Sequence, residues 1–288
     1  MLNLRKHFRM LRLAAACLAI LAMASYPAAG QRGGGGGGHH SSPDDAEYQD
    51  ELSQGMEAYK ASHLDEAIRH FQRAVQLEPN QPMGKVYLGT AMAQKVAPGL
   101  DTPANLEIAQ EAIRIFQDLL RLAPHDQNSI RQIAGIEFSI RKLDDAKNWQ
   151  KRLLAESPKD PEAAFKIGVI DWMQAHHNAL TALKAASITD DGVGNAKAPA
   201  AVMESIKAQN AALVEEALQY LQQAIENRPN YADAMAYLNL VYRRKADLDV
   251  GNEAARLADV AKANEWRLKA METRKANEEK KNAESARP

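Results

Sequence analysis

The sequence predicts an all-α chain: a helical solenoid of about five helix pairs, two of them carrying insertions, ended by a long C-terminal helix. Three observations predict it. A small residue in one helical stretch, then a small residue with a large apolar one four positions later in the next, recurs along the chain. Prolines close the successive sets at Pro79, Pro124, Pro158 and Pro229. No stretch shows the period-2 alternation of a strand, whereas apolar residues repeat at helical spacing.

The chain opens on Arg5, Lys6, Arg9 and Arg12 with no acid, followed by the apolar run Leu13 to Ala24. That layout predicts a secretory signal peptide over residues 1–30, cut after Ala24 or, preferably, after Gly30. The apolar run is about a dozen residues, short of the roughly 20 that span a bilayer, so no transmembrane helix is expected after processing. Loss of residues 1–30 removes four basic side chains and no acid, which moves the formal charge from −1 to −5. A mildly acidic protein is a poor match for nucleic acid. The only cysteine, Cys17, lies inside the run. Read as part of a cleaved signal it leaves a periplasmic or secreted protein without a thiol. Ala14-Ala15-Ala16-Cys17 is also similar to the lipobox of bacterial lipoproteins, whose cysteine carries the lipid, although the apolar stretch continues past it.

Residues 31–42 hold six consecutive glycines, Gly33 to Gly38, and read as a flexible linker. Ser42-Pro43-Asp44-Asp45 then has the order of an N-cap, a first-turn proline and acids at the positive end of a helix. The solenoid is expected over 43–271, in units of about 48–81, 82–126, 127–160, 161–231 and 232–271, with a charged, frayed tail over 272–288.

The first unit carries Gly55 in one helix, then Ala67, Phe71 and Ala74 in the next, and closes at Pro79. This pattern resembles the tetratricopeptide repeat (TPR). Two helices cross closely only where small residues meet, as Gly55 and Ala67 would, with Phe71 filling the wedge toward the next unit. The second unit repeats the set as Gly89, Ala112, Phe116 and Pro124, with an insertion at about residues 95–104 marked by the turn signal Pro98-Gly99. The third has Ala134, Ala146 and Pro158 but Gln150 where the family places an aromatic. In the fourth, Gly168 and Ala217 stand 49 residues apart, followed by Leu221 and Pro229. Either both helices are extended around an exposed loop at 189–199, or a degenerate unit hides in 174–212. The fifth has Asn239 where the family usually has glycine, and ends in the long helix. There Leu257, Ala261, Leu268 and Met271 share the face expected to pack, leaving Trp266 outward as a contact for a partner or a second copy.

In the TPR family the first helix of each unit lines a groove that holds a protein or peptide, so the resemblance implies a non-catalytic interaction scaffold with no cofactor. Its register places Tyr59, Arg131, Phe138, Phe165, Val169, Trp172, Met173, Arg243 and Arg244 at partner-binding positions. Phe165, Val169, Trp172 and Met173 form one stripe at i, i+4, i+7 and i+8, which either anchors a partner or is covered by the long insertion folding back. The paired asparagines with which some members clamp a terminal carboxylate are missing. His39-His40, His63 with His70, and His176-His177 lack ligand spacing, since neighbours on a helix point about 100° apart. No phosphate loop, nucleophile elbow or His-Glu metal signature is found. The acid pairs Asp65-Glu66, Asp144-Asp145 and Glu215-Glu216 read as first-turn residues of second helices.

Overall fold

The structure, a computed structural model, describes residues 43–285; the expected signal peptide with Cys17, the expected glycine linker with His39-His40 and the expected Ser42 cap lie outside the described residues. Ten helices and no strand occur among the described residues. They are α1 (Pro43–Lys60), α2 (Leu64–Leu77), α3 (Pro82–Lys95), α4 (Pro103–Leu122), α5 (Gln127–Ser139), α6 (Leu143–Glu156), α7 (Pro161–Ala185), α8 (Ala200–Asn227), α9 (Ala232–Ala246) and α10 (Glu253–Ser285). Four adjacent pairs are packed, α1 with α2, α3 with α4, α7 with α8 and α9 with α10. The chain divides into two compact units, one ending at Trp149 and the other beginning at Gln150, so the boundary falls inside α6.

In the first unit α1 packs on α2, α2 on α3, α3 on α4 and α4 on α5, and the pair-leading helices α3 and α5 also touch. The crossings depend on missing side chains. A Cβ on Gly55 would stand 2.5 Å from the fully buried Phe71 ring, and one on Gly89 would stand 2.9 Å from Phe116. Phe71 also meets Tyr87 of the next pair at 5.4 Å between ring centroids, so one side chain fills the crossing and the wedge beyond it. Ala67 and Ala112 are fully buried beside these rings.

Helix ends follow local chemistry. The links 78–81, 123–126, 157–160 and 228–231 are four residues long and carry Pro79, Pro124, Pro158 and Pro229 at their second position. In each, the first residue's N–H donates back to the helix and the last donates to the first residue's carbonyl. A proline there cannot prolong the helix. Asp126 and Asp160 cap α5 and α7 by accepting from backbone N–H groups two and three residues on. Within pairs, α1 and α5 stop at Ser62 and Arg141, whose φ angles of 63° and 64° lie in the left-handed region. The residue after each, His63 or Lys142, donates five residues back, closing a Schellman turn. The inserted 96–102 segment behaves as expected: Gly99 turns at φ +73°, and the buried Asn105 side chain binds Ala97 and Leu100.

In the second unit α7 packs on α8, α8 on α9 and α9 on α10, with α7 touching α9. The same crossing recurs, since a Cβ on Gly168 would meet Leu221 at 2.6 Å, with Ala217 fully buried beside it. No degenerate unit hides in 174–212. Instead α7 and α8 run on as continuous helices, with their own core of Ala179, Leu183, Met203 and Ile206. Buried Asn210 ties them by donating to the Ala175 carbonyl and accepting from Asn178.

Four expectations need correction. The loop at 189–199 is exposed only in part, at Thr189, Asp191, Ala196, Lys197 and Pro199, and is anchored where Asp190 and Asn195 bind groups on and just after α9. Glu215-Glu216 lie well inside α8, not in its first turn, and Glu216 pairs with Lys151. On α10 it is Asp259, Ala263 and Ala270 that pack, while Leu257, Leu268 and Met271 are more than half exposed and Trp266 is half-buried. Small residues let two helices approach, so the alanine face wins over the leucine face. Finally, the tail is helical to Ser285, and contacts with the preceding pair extend to Asn277, which donates to the Asn230 carbonyl.

Candidate protein-interaction surface

The second unit gathers aromatic side chains from its two pair-leading helices. Phe165 and Trp172 stand seven residues apart on α7, two turns along one face. Tyr237 of α9 lies between them, its ring 5.5 Å from Phe165 and 5.3 Å from Trp172, edge-on to both. Tyr231 completes the set 4.9 Å from Phe165, and His176 stacks on Trp172 at 5.1 Å. Phe165, Trp172, Met173 and Tyr237 are half-buried, whereas Val169 beneath them is buried. The stripe is therefore covered on one flank by α9, with His176 against its end, and keeps a partly exposed surface.

Polar groups hold this face rigid. Tyr231 donates its hydroxyl to Glu162, which also pairs with Arg228 at 2.7 Å, and that guanidinium lies 4.4 Å over the Tyr231 ring. Burial pushes the Tyr237 hydroxyl up to about 12. Burial, reinforced by Arg244, lowers the His176 pKa below its ordinary value, which favours the neutral form of the imidazole stacked on Trp172. Tyr237 was missed at the level of sequence, yet its signal was available, since Asp233, Tyr237, Leu240 and Arg244 recur at helical spacing on α9.

No protein-family model and no curated protein sequence matches the chain. Among solved structures it is similar to MamA from Desulfovibrio magneticus RS-1, with a TM-score of 0.53 and 16% identity over 80% of this chain and 96% of that one. A double mutant of MamA RS-1 gives the same values. YrrB, a TPR protein with an unusual peptide-binding site, is similar with a TM-score of 0.47 and 16% identity over 79% of this chain and 90% of that one. MamA is itself a TPR protein. The chain adopts the tetratricopeptide-repeat fold.

The TPR register separates the other candidate residues by what the structure does with them. Arg244 is 3% exposed, holds both oxygens of Asp190 at 2.9 Å and lies 3.1 Å from Asp247. Arg243 donates to the Gly192 carbonyl, Asn239 and Asn264. Both arginines clamp the inserted loop, so neither is a free groove cation; a buried guanidinium needs carboxylate partners, and the loop supplies them. In the first unit Tyr59 is a buried core residue, while Arg131 and Phe138 are half-buried on α5. His70 binds Glu51 at 2.7 Å and His63 is exposed beside Glu66. Among the described residues no three His, Cys, Asp or Glu side chains could hold a metal ion, and no helix is long and apolar enough to cross a membrane.

Proposed function

We propose that the protein is an exported, non-catalytic TPR scaffold that docks a segment of another protein on the aromatic face of α7 and α9. The observation that carries this reading is the contiguous set Phe165, Trp172 and Tyr237: large, half-buried rings, held by α7–α9 packing, on the pair-leading helices that line the groove in the TPR family. Rigid aromatics contribute contact area at low entropic cost, which suits a docking surface. Met173 adds an adaptable apolar contact beside them. Arg131 and Phe138 are the corresponding groove candidates on α5.

The test is site-specific photo-crosslinking in cells. A crosslinker at Met173 captures one dominant protein, and Trp172→Ser reduces that capture while far-UV circular dichroism stays unchanged. A folded Trp172→Ser variant with undiminished capture refutes the placement. Export to the periplasm or beyond rests on the basic and apolar N-terminal pattern, and the mass of the mature protein tests it. A mature start beyond Cys17 supports a soluble exported protein; a diacylglyceryl mass on Cys17 establishes the lipid-anchored alternative.

A further inference from the structure

Helix α10 packs on α9 through one face, in which Asp259, Ala263 and Ala270 are buried, Asp259 binds Lys245 and Thr273 touches Met235. The opposite face has its own order. Leu257, Ala261, Asn264, Leu268, Met271 and Lys275 follow one another at alternating steps of four and three, the a/d spacing of a heptad. Leu257 and Leu268 are 51% exposed and Met271 57%, the largest exposed apolar side chains of this helix. A row of this kind, on a helix already anchored from behind, is an unfilled seam.

The flanks say what fills it. With Ala261 and Leu268 at a, the e positions are Glu265, Glu272 and Glu279, and the g positions after Val260 are Arg267, Arg274 and Lys281. All six are exposed. In a parallel pair of identical helices each g residue meets the e residue five positions on in the partner, so Arg267 faces Glu272 and Arg274 faces Glu279. An antiparallel pair would set base against base and acid against acid. The in-chain competitors, Arg274 with Asp233, Glu265 with Lys262 and Glu279 with Lys275, are surface ion pairs of small worth.

We propose that a second copy of this chain covers the exposed face of α10, forming a parallel two-fold dimer whose seam runs from Leu257 to Lys275. The inference goes beyond the docking face of α7 and α9 and is independent of it. Trp266 takes no part, because it lies on the packed side. A two-fold contact uses the same patch on both protomers, as a self-complementary helix face requires.

Sedimentation of the full chain over about a hundredfold range of concentration is expected to show a monomer–dimer equilibrium. Arg267→Glu and Glu272→Arg, both at exposed positions, each weaken self-association by about tenfold or more, and an equimolar mixture of the two restores a dimer. In a Cys17→Ser background, Met271→Cys chains form a disulfide with one another. A chain that stays monomeric throughout, or a mixture that fails to restore the dimer, overturns the proposal. So does crosslinking of Leu257→Cys to Met271→Cys chains in place of Met271→Cys to itself, which would report an antiparallel pair.

Discussion

The first helix pair and the fourth use one joint at two scales. In α1–α2, Gly55 crosses under Phe71 and the left-handed Ser62 ends α1 seven residues later. In α7–α8, Gly168 crosses under Leu221, but the left-handed Ser187 comes nineteen residues later and a fourteen-residue link replaces a three-residue one. The twelve extra residues lengthen α7 by about 18 Å. What is added lies entirely on the far side of the crossing. The glycine contact, the second-helix side chain over it and the proline link that follows are unchanged, so the packing of one pair on the next does not require a fixed helix length.

This comparison can be broken first at its core. Phe71→Ala in the first pair is expected to cost about 3–5 kcal/mol and Leu221→Ala in the fourth about 2–5 kcal/mol, read from chemical denaturation of the full chain. A negligible loss at Leu221 would mean that the extended pair is held by its added core instead. Arg244→Ala tests the loop clamp that accompanies the extended fourth pair. It leaves the Asp190 and Asp247 carboxylates without their cation and is expected to cost about 3–5 kcal/mol in the same assay. Gly168→Ala places a methyl against Leu221 and the Ala217 carbonyl, for an expected loss of about 1–3 kcal/mol. The smallest effects are gains: Ser62→Gly and Ser187→Gly relieve left-handed strain and should each stabilise by about 0.5–1 kcal/mol. Equal gains would confirm that the two helices stop by the same device.

The clamp also has a pH signature. Burial pushes the Asp247 carboxyl up to about 6, so the folded protein holds that proton more tightly than the unfolded chain. The cost of its charge is fully present above the folded value and is relieved as pH falls toward the ordinary carboxylate range. Thermal melts should therefore show the protein gaining stability relative to Asp247→Asn between about pH 7 and pH 5. Asp190 moves the other way: burial alone would raise its pKa, but the Arg244 charge and the hydrogen bonds from Arg244, Asn195 and the Gly192 N–H together outweigh it and lower the pKa, and the contribution of Asp190 is lost only at more acid pH.

What was legible in the sequence was short in range. Gly55, Ala67, Phe71 and Pro79 act within one pair, and their offsets are fixed by helix geometry, so pairing, crossings and links could be read directly. Gln150, standing where an aromatic was expected, begins the second compact unit and is buried with its side-chain oxygen unpartnered. The clamp was not legible, because Asp190 and Asn195 meet Arg244 and Asp247 across more than fifty residues with no local pattern to join them. The last helix was misread for a different reason. Periodicity shows which residues share a face, but whether Leu257 or Ala263 meets the neighbour depends on how closely the two axes approach. The aromatic face was half legible: the α7 stripe was visible, whereas on α9 the candidates were Arg243 and Arg244 and not Tyr237, which meets the stripe.

The anchored loop changes how the second unit opens. Arg243 and Arg256 hold its carbonyls at Gly192 and Val193, and Arg244 holds Asp190, so residues 190–195 cannot detach without exposing three cations of the helices that follow. Surface loops ordinarily exchange their amide hydrogens through small local fluctuations. Here the amides of Asn195 and Val193 donate to Asp191 inside the clamped loop, so hydrogen exchange should find them opening together with α9 and α10 rather than alone, which would make the segment that looks like a connection belong thermodynamically to the helices it rests on.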